Sequence, residues 1–541
     1  MSVPRRRLLR TVLALALVLV LAIATVVTVR TLTTSGPRSV AASSRPAPFA
    51  THSAQPTPAT FTTAQGVEAR WVIEENRRPG TAAWRIPAGA SSAIAGFADH
   101  TQATVGETVG VFVSTRATTF RVEAYRMGYY GGAGARLIWR SGPLPGHQQA
   151  TCPVTPGTNM VSCDGWTKSL TLPITAAFVQ GDYLLKLVGD NGAQSYVPLT
   201  VWSPTSTAAY LVENDEYTWQ AWNPYGGFEF YQGVGACKPT YPVCNRARVV
   251  SFDRPYGYGQ GAGDFMANEL PLVSLVEQRG LDVTYAPDIV FDEHPSFLMQ
   301  HRVLLSLGHD ECWSLGERQA AVAAQRQHGL NIVYFGASPV LRHVRPQSSP
   351  LGADREVVDY RDGAADPLAG HGDPRNVTGN TWSSPPANWS EVPMVGEAYS
   401  GFMEPGGRPV GMTITDAPSW LFGGTGLHVG SVVPGVIESD FDQFDRSLHA
   451  SNLELFAHSA MPANGIQTSM PPAYSDMSYQ TDPVSGAGSF DTGTVAWIPN
   501  MPAHPVLAQI TGNLLAAFGE GPAGHLHPSV GNWQQDYPGV H

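Results

Sequence analysis

The passage from Val303 to Phe335 constrains the fold more than any other part of this chain. Val303-Leu304-Leu305-Ser306-Leu307 is almost wholly apolar, as a strand buried on both faces must be. Ser314 to His328 reads as a helix. Ser314 is a good N-cap, Glu317 stands three residues on as the partner of a capping box, and Gly329 stops it. Asn331-Ile332-Val333-Tyr334-Phe335 is the next strand. Strand, helix and strand within about 33 residues make a βαβ unit, and with it an open α/β sheet. Ligands of such sheets sit at the carboxyl ends of the strands. Gly308-His309-Asp310-Glu311 stands at one such end. A His and a Glu two apart suit a metal or a proton transfer. The same acids, placed before a helix, can instead serve its macrodipole.

The flanking segments differ in grammar. Tyr210-Leu211-Val212, Val249 to Phe252 and Asp282 to Tyr285 read as further strands, and Asp264 to Arg279 as an amphipathic helix ending near Gly280. From Val67 to Trp202 short β-rich runs alternate with Gly, Pro and Asn turns, with no helix between them. That spacing predicts an immunoglobulin-like sandwich. Beyond about residue 345 the chain is rich in Gly and Pro and reads as a long elaboration of the α/β part. Gly (56) and Pro (44) are abundant, only 14% of residues are charged, and the net charge is −11. Many aromatics and few charges exclude a disordered chain. An acidic balance offers nucleic acid no basic field, so no nucleic-acid partner is expected.

The N-terminus carries Arg5, Arg6, Arg7 and Arg10 before an uncharged apolar run, residues 11–29. Its length predicts a membrane anchor with the globular part outside the cytoplasm. The alternative is a cleaved or twin-arginine export signal, with the protein secreted. The expected organisation is residues 1–30 as stub and anchor or signal, and 31–66 as a disordered Ser/Thr/Pro linker. Residues 67–204 then form the sandwich and 205–541 the α/β domain. In an exported chain the close pairs Cys152/Cys163 and Cys237/Cys244 read most simply as two disulfides, although four cysteines allow three pairings. Cys312 is left over beside the candidate site. It is either a nucleophile at a strand-to-helix turn or an inert packed thiol.

Thr218 to Tyr231 holds six aromatics in fourteen residues, the lining of a pocket or a piece of core. Together with Phe252-Asp253-Arg254-Pro255-Tyr256, Gly308 to Ser314 and Tyr334-Phe335-Gly336-Ala337, it resembles the large subunit of N,N-dimethylformamidase and its relatives. Gly424-Thr425-Gly426, Glu438-x-Asp440 and Gly486 to Asp491 extend the resemblance. The upstream Tyr125-Arg126-Met127-Gly128-Tyr129-Tyr130-Gly131-Gly132 resembles the β domain of that family, so the likeness spans roughly 67–520.

The resemblance implies a glutamine-amidotransferase-like (flavodoxin-like) α/β domain. The expected fold class is therefore α+β multidomain: a transmembrane helix, a β-sandwich, then an open α/β sheet with long loop insertions. It also implies hydrolysis of a C–N amide bond by water activated on a mononuclear iron(III) held by two tyrosinates and a glutamate. No nucleotide cofactor is implied. Hard oxygen ligands suit such a Lewis acid. By position Glu311 matches the ligand glutamate and His309 its neighbour, with Glu438 as a further catalytic acid. Tyr256 matches one tyrosine, with Tyr225 or Tyr231 available as the second and Tyr225 preferred. Trp219, Trp222, Asn223 and Ser338 are expected to line the substrate pocket. Two positions depart from the pattern. Trp222 stands where relatives carry Tyr, and Ser338 where they often carry Asn. The substrate expected is a small amide or an envelope polymer, and a small partner subunit or a homo-oligomer is left open. The alternative function is a non-catalytic surface module that binds glycan or envelope polymer in the same cleft.

Overall fold

The computed structural model describes residues 59–234 and 245–540. Its central sheet has seven strands in the spatial order Val283–Pro287, Tyr210–Asn214, Val303–Gly308, Asn331–Gly336, Gly488–Asp491, Tyr474–Thr481 and Glu454–Ala460. The first five pair in parallel. The last two pairings are antiparallel.

Alternation along each strand divides the core in two. Leu304 and Ile332 share one cluster with Ala320, Ala321 and Ala324 of the helix Leu315–His328. Leu305 and Val333 share the other with Leu507, Ile510 and Leu514 of the helix Pro505–Gly519. Both faces are thus covered, as the apolar run predicts. The capping box forms as read. Ser314 Oγ accepts from the Glu317 amide at 3.0 Å, Glu317 Oε2 accepts from the Ser314 amide at 3.0 Å, and Gly329 ends the helix at φ 71°. The other expected helix begins as a π segment, Phe265–Glu269, and continues as the α-helix Leu270–Gln278. Pro271, which has no N–H to donate, stands at the change of pitch.

Upstream, a sheet of Lys168–Pro173, Thr108–Thr115 and Ile94–Ala98 faces a larger one built on Gln194–Val201, Gly181–Gly189, Thr119–Met127 and Ala135–Arg140. Their inner residues, among them Val111, Val122, Leu185 and Leu199, form one buried cluster. Cys152 and Cys163 are bonded, with Cα atoms 4.7 Å apart. Arg126 of the strand Thr119–Met127 reaches Glu277 of the helix Leu270–Gln278, Nη2 to Oε1 at 2.5 Å, and both side chains are wholly buried.

Several expectations are corrected. The fold class is mixed α+β, mostly strands and loops, without the expected transmembrane helix among the described residues. No helix among the described residues is long and apolar enough to cross a membrane. That finding overturns the membrane-anchored placement; the apolar run 11–29 itself lies outside the described residues, as do Cys237 and Cys244. The end of the expected linker is not featureless, since Thr60–Thr63 pairs with Gly66–Ala69 as a hairpin. A helix, Arg70–Asn76, opens the β-rich part where none was read.

Candidate active site

The strand Val303–Gly308 ends against its neighbour Asn331–Gly336 in very close approach. A Cβ on Gly336 would lie 1.7 Å from the Gly308 carbonyl oxygen, so only glycine fits there. The chain then turns through His309, Asp310 and Glu311 before the helix. Thr218 Oγ1 accepts from the amides of Glu311 (3.1 Å) and Cys312 (3.0 Å), which fastens this turn to the helix Glu216–Ala221.

Glu311 is the centre of the site. Arg342 Nε donates to Oε1 at 3.0 Å. Trp222 Nε1 donates to Oε2 at 3.2 Å, and the Tyr231 hydroxyl donates to the same oxygen. Trp222 and Tyr231 stack with ring centres 3.7 Å apart, and the Arg361 guanidinium lies 4.1 Å from the Tyr231 ring centre. His309 Nε2 is 3.5 Å from Glu311 Oε2 and 3.8 Å from Asp440 Oδ2. Ser338, at φ 59°, brings its hydroxyl to 3.4 Å from Asp440 Oδ2.

The two acids are pushed apart electrostatically. Burial drives the Glu311 carboxyl upward, but Arg342, His309, Arg361 and the Tyr231 hydrogen bond outweigh it and hold it below the ordinary range. At Asp440 burial prevails over the attraction of His309, with Glu311 and Asp442 adding repulsion, and its carboxyl rises to about 6. Burial, then the Glu311 and Asp359 charges, push the Cys312 thiol well up. A thiol so protonated is no nucleophile.

The expected residues divide into three groups. His309, Glu311, Trp222 and Ser338 meet at this site. Trp219, Asn223 and Tyr256 instead line a separate cavity of about 10 Å³, room for about one water. There Trp219 packs edge-on against Tyr256 and donates to Glu269 at 2.8 Å. Asn223 clamps two loops, accepting from Tyr225 N (3.1 Å) and Gly257 N (2.9 Å). Tyr225 packs with Phe97, Phe112 and Trp166 of the sandwich. Glu438 is exposed on the turn before Asp440. The acid facing His309 is therefore Asp440, two residues on, and the tyrosine bound to Glu311 is Tyr231, not Tyr256 or Tyr225. Arg342 and Arg361 had no sequence signal of their own. Asp440 stood within the Glu438-x-Asp440 motif and could have been weighed there.

A two-tyrosinate iron does not fit this donor set. Tyr231 is the tyrosine hydrogen-bonded to Glu311, and the other ring on the same oxygen is Trp222. Its indole N–H can only donate, and it already points at the carboxylate. The other Glu311 oxygen is held by Arg342. Among the described residues no three His, Cys, Asp or Glu side chains are grouped to hold a metal.

No curated protein matches this chain. A family model does: residues 121–508, more than two thirds of the chain, match the N,N-dimethylformamidase beta subunit-like C-terminal family. The stretch includes all the residues that gather around Glu311, and the chain belongs to that family.

Proposed function

We propose that this chain is an amide hydrolase acting in the cleft around His309, Glu311 and Asp440. The reading is carried by the separation of the two acids: Glu311 is held charged, Asp440 is raised to about 6, and His309 lies between them. Neighbouring acids set apart in this way divide into a fixed charge and a proton carrier.

In the proposed reaction, water beside His309 gives a proton to the Asp440 carboxylate while its oxygen bonds to the amide carbonyl carbon. The carbonyl π electrons move onto oxygen, and Arg342 and Arg361 stabilise that negative charge. Asp440 returns the proton to the amide nitrogen, the C–N bond breaks, and a carboxylic acid and an amine leave. Glu311 exchanges no proton. It fixes Arg342 and orients His309. Iron held by two tyrosinates has no part in this scheme, because Trp222 occupies the place of one of them.

The test is amine or ammonia release from formamide, N,N-dimethylformamide and longer amides by the purified chain. Asp440→Asn is expected to lower kcat by about 10²–10⁴. Unchanged turnover in that variant, or no release from any amide, overturns the reading. A second reading, a non-catalytic cleft for glycan or envelope polymer, is favoured by Trp222 alone. It predicts retention on the polymer and no amine release.

A further inference from the structure

The geometry points to Trp222 as the residue that denies Glu311 Oε2 a second tyrosinate, and so a two-tyrosinate iron, and to one substitution that supplies it. Three observations carry this. The Trp222 indole N–H and the Tyr231 hydroxyl both end on the same oxygen, Glu311 Oε2. The two rings lie almost parallel, 3.7 Å apart and inclined by 12°. Arg361 caps the pair from 4.1 Å above the Tyr231 ring. The stack thus aims two polar ring atoms, side by side, at one carboxylate oxygen.

Ligand oxygens about 2 Å from a metal lie about 3 Å from each other. Two phenol oxygens carried on rings stacked as these are would meet that spacing, next to the Glu311 oxygen. Tryptophan supplies the ring but not the ligand atom. Its N–H is a donor only, so it hydrogen-bonds to the carboxylate that would otherwise face the metal. This inference is independent of whether the cleft hydrolyses amides, because it concerns what the side chains can ligate.

The test loads the full chain with ferric citrate, desalts it, and reads iron content together with tyrosinate-to-iron charge-transfer absorption. Wild type is expected to stay colourless, with iron far below one per chain. Trp222→Tyr is expected to hold about one iron per chain and to gain the band. Adding Tyr231→Phe should then remove most of that absorption. Stoichiometric iron in wild type with a band lost in Tyr231→Phe overturns the inference, as does a folded Trp222→Tyr that stays colourless. If the tyrosine variant melts without a cooperative transition, Trp222→His supplies a ring nitrogen in its place and is read by the same two outcomes.

Discussion

The buried pair Arg126–Glu277 gives the sharpest test of how the sandwich is held to the α/β sheet. Arg126 Nη2 meets Glu277 Oε1 at 2.5 Å, and neither side chain is exposed. Arg126 also donates to Tyr130 Oη at 2.9 Å and to the Gln180 carbonyl at 3.0 Å, while Glu277 accepts from Tyr285 Oη at 2.8 Å and from Asn76. Removing one member of such a pair costs about 3–5 kcal/mol, because the other stays buried without its counter-charge. Glu277→Gln strands a guanidinium that cannot lose its proton, and Arg126→Met strands the carboxylate. Urea unfolding followed by tryptophan fluorescence measures both. A cost below about 1 kcal/mol for either refutes the reasoning.

Three further outcomes are expected. Ser314→Ala removes the cap of the helix Leu315–His328 and a bond to Asp292, and should lower stability by about 1–2 kcal/mol; a loss of a few tenths would show that the cap is idle. His301 is buried against Phe297, with Nδ1 2.7 Å from the Ala208 carbonyl, and burial lowers it from 6.5 to about 4. Because the folded value is the lower one, this stability is full above pH 6.5 and is lost as the pH falls toward 4, by about 3 kcal/mol in all; His301→Asn should flatten that limb of the unfolding profile, and an unaltered slope would contradict the assignment. Cys312, buried and held protonated, should resist a thiol reagent in the native chain and react only on unfolding, as followed by the absorbance of the released thiolate.

Much of the fold was legible because its signals are local. The apolar run before Gly308, the Ser314–Glu317 cap and Gly329 act within a few residues of themselves, and they form as read. The Cys152–Cys163 clip spans only 11 residues of sequence and needs no distant partner to place it. His309 and Glu311 were found because a strand end in a parallel sheet is a general address for ligands. Less legible were the strands Tyr474–Thr481 and Glu454–Ala460, which extend the central sheet antiparallel, because pairing across long loops leaves no mark at one position.

The site shows where sequence alone stops. It determined which turn carries the acid and which aromatic segment faces it. Which tyrosine reaches Glu311 was decided by the path of residues 222–231, where Gly226 turns at φ 79° and Gly227 at φ 87° before Tyr231 stacks on Trp222. Which acid reaches His309 was decided at Ser439, whose φ of 58° separates exposed Glu438 from inward-facing Asp440. A backbone turn of one residue reverses the direction of the side chains around it, and that direction is settled only when the strand Asp440–Gln443 pairs with Ala398–Met403. Residue type set the chemistry available to this protein; tertiary pairing chose which copies of each type meet.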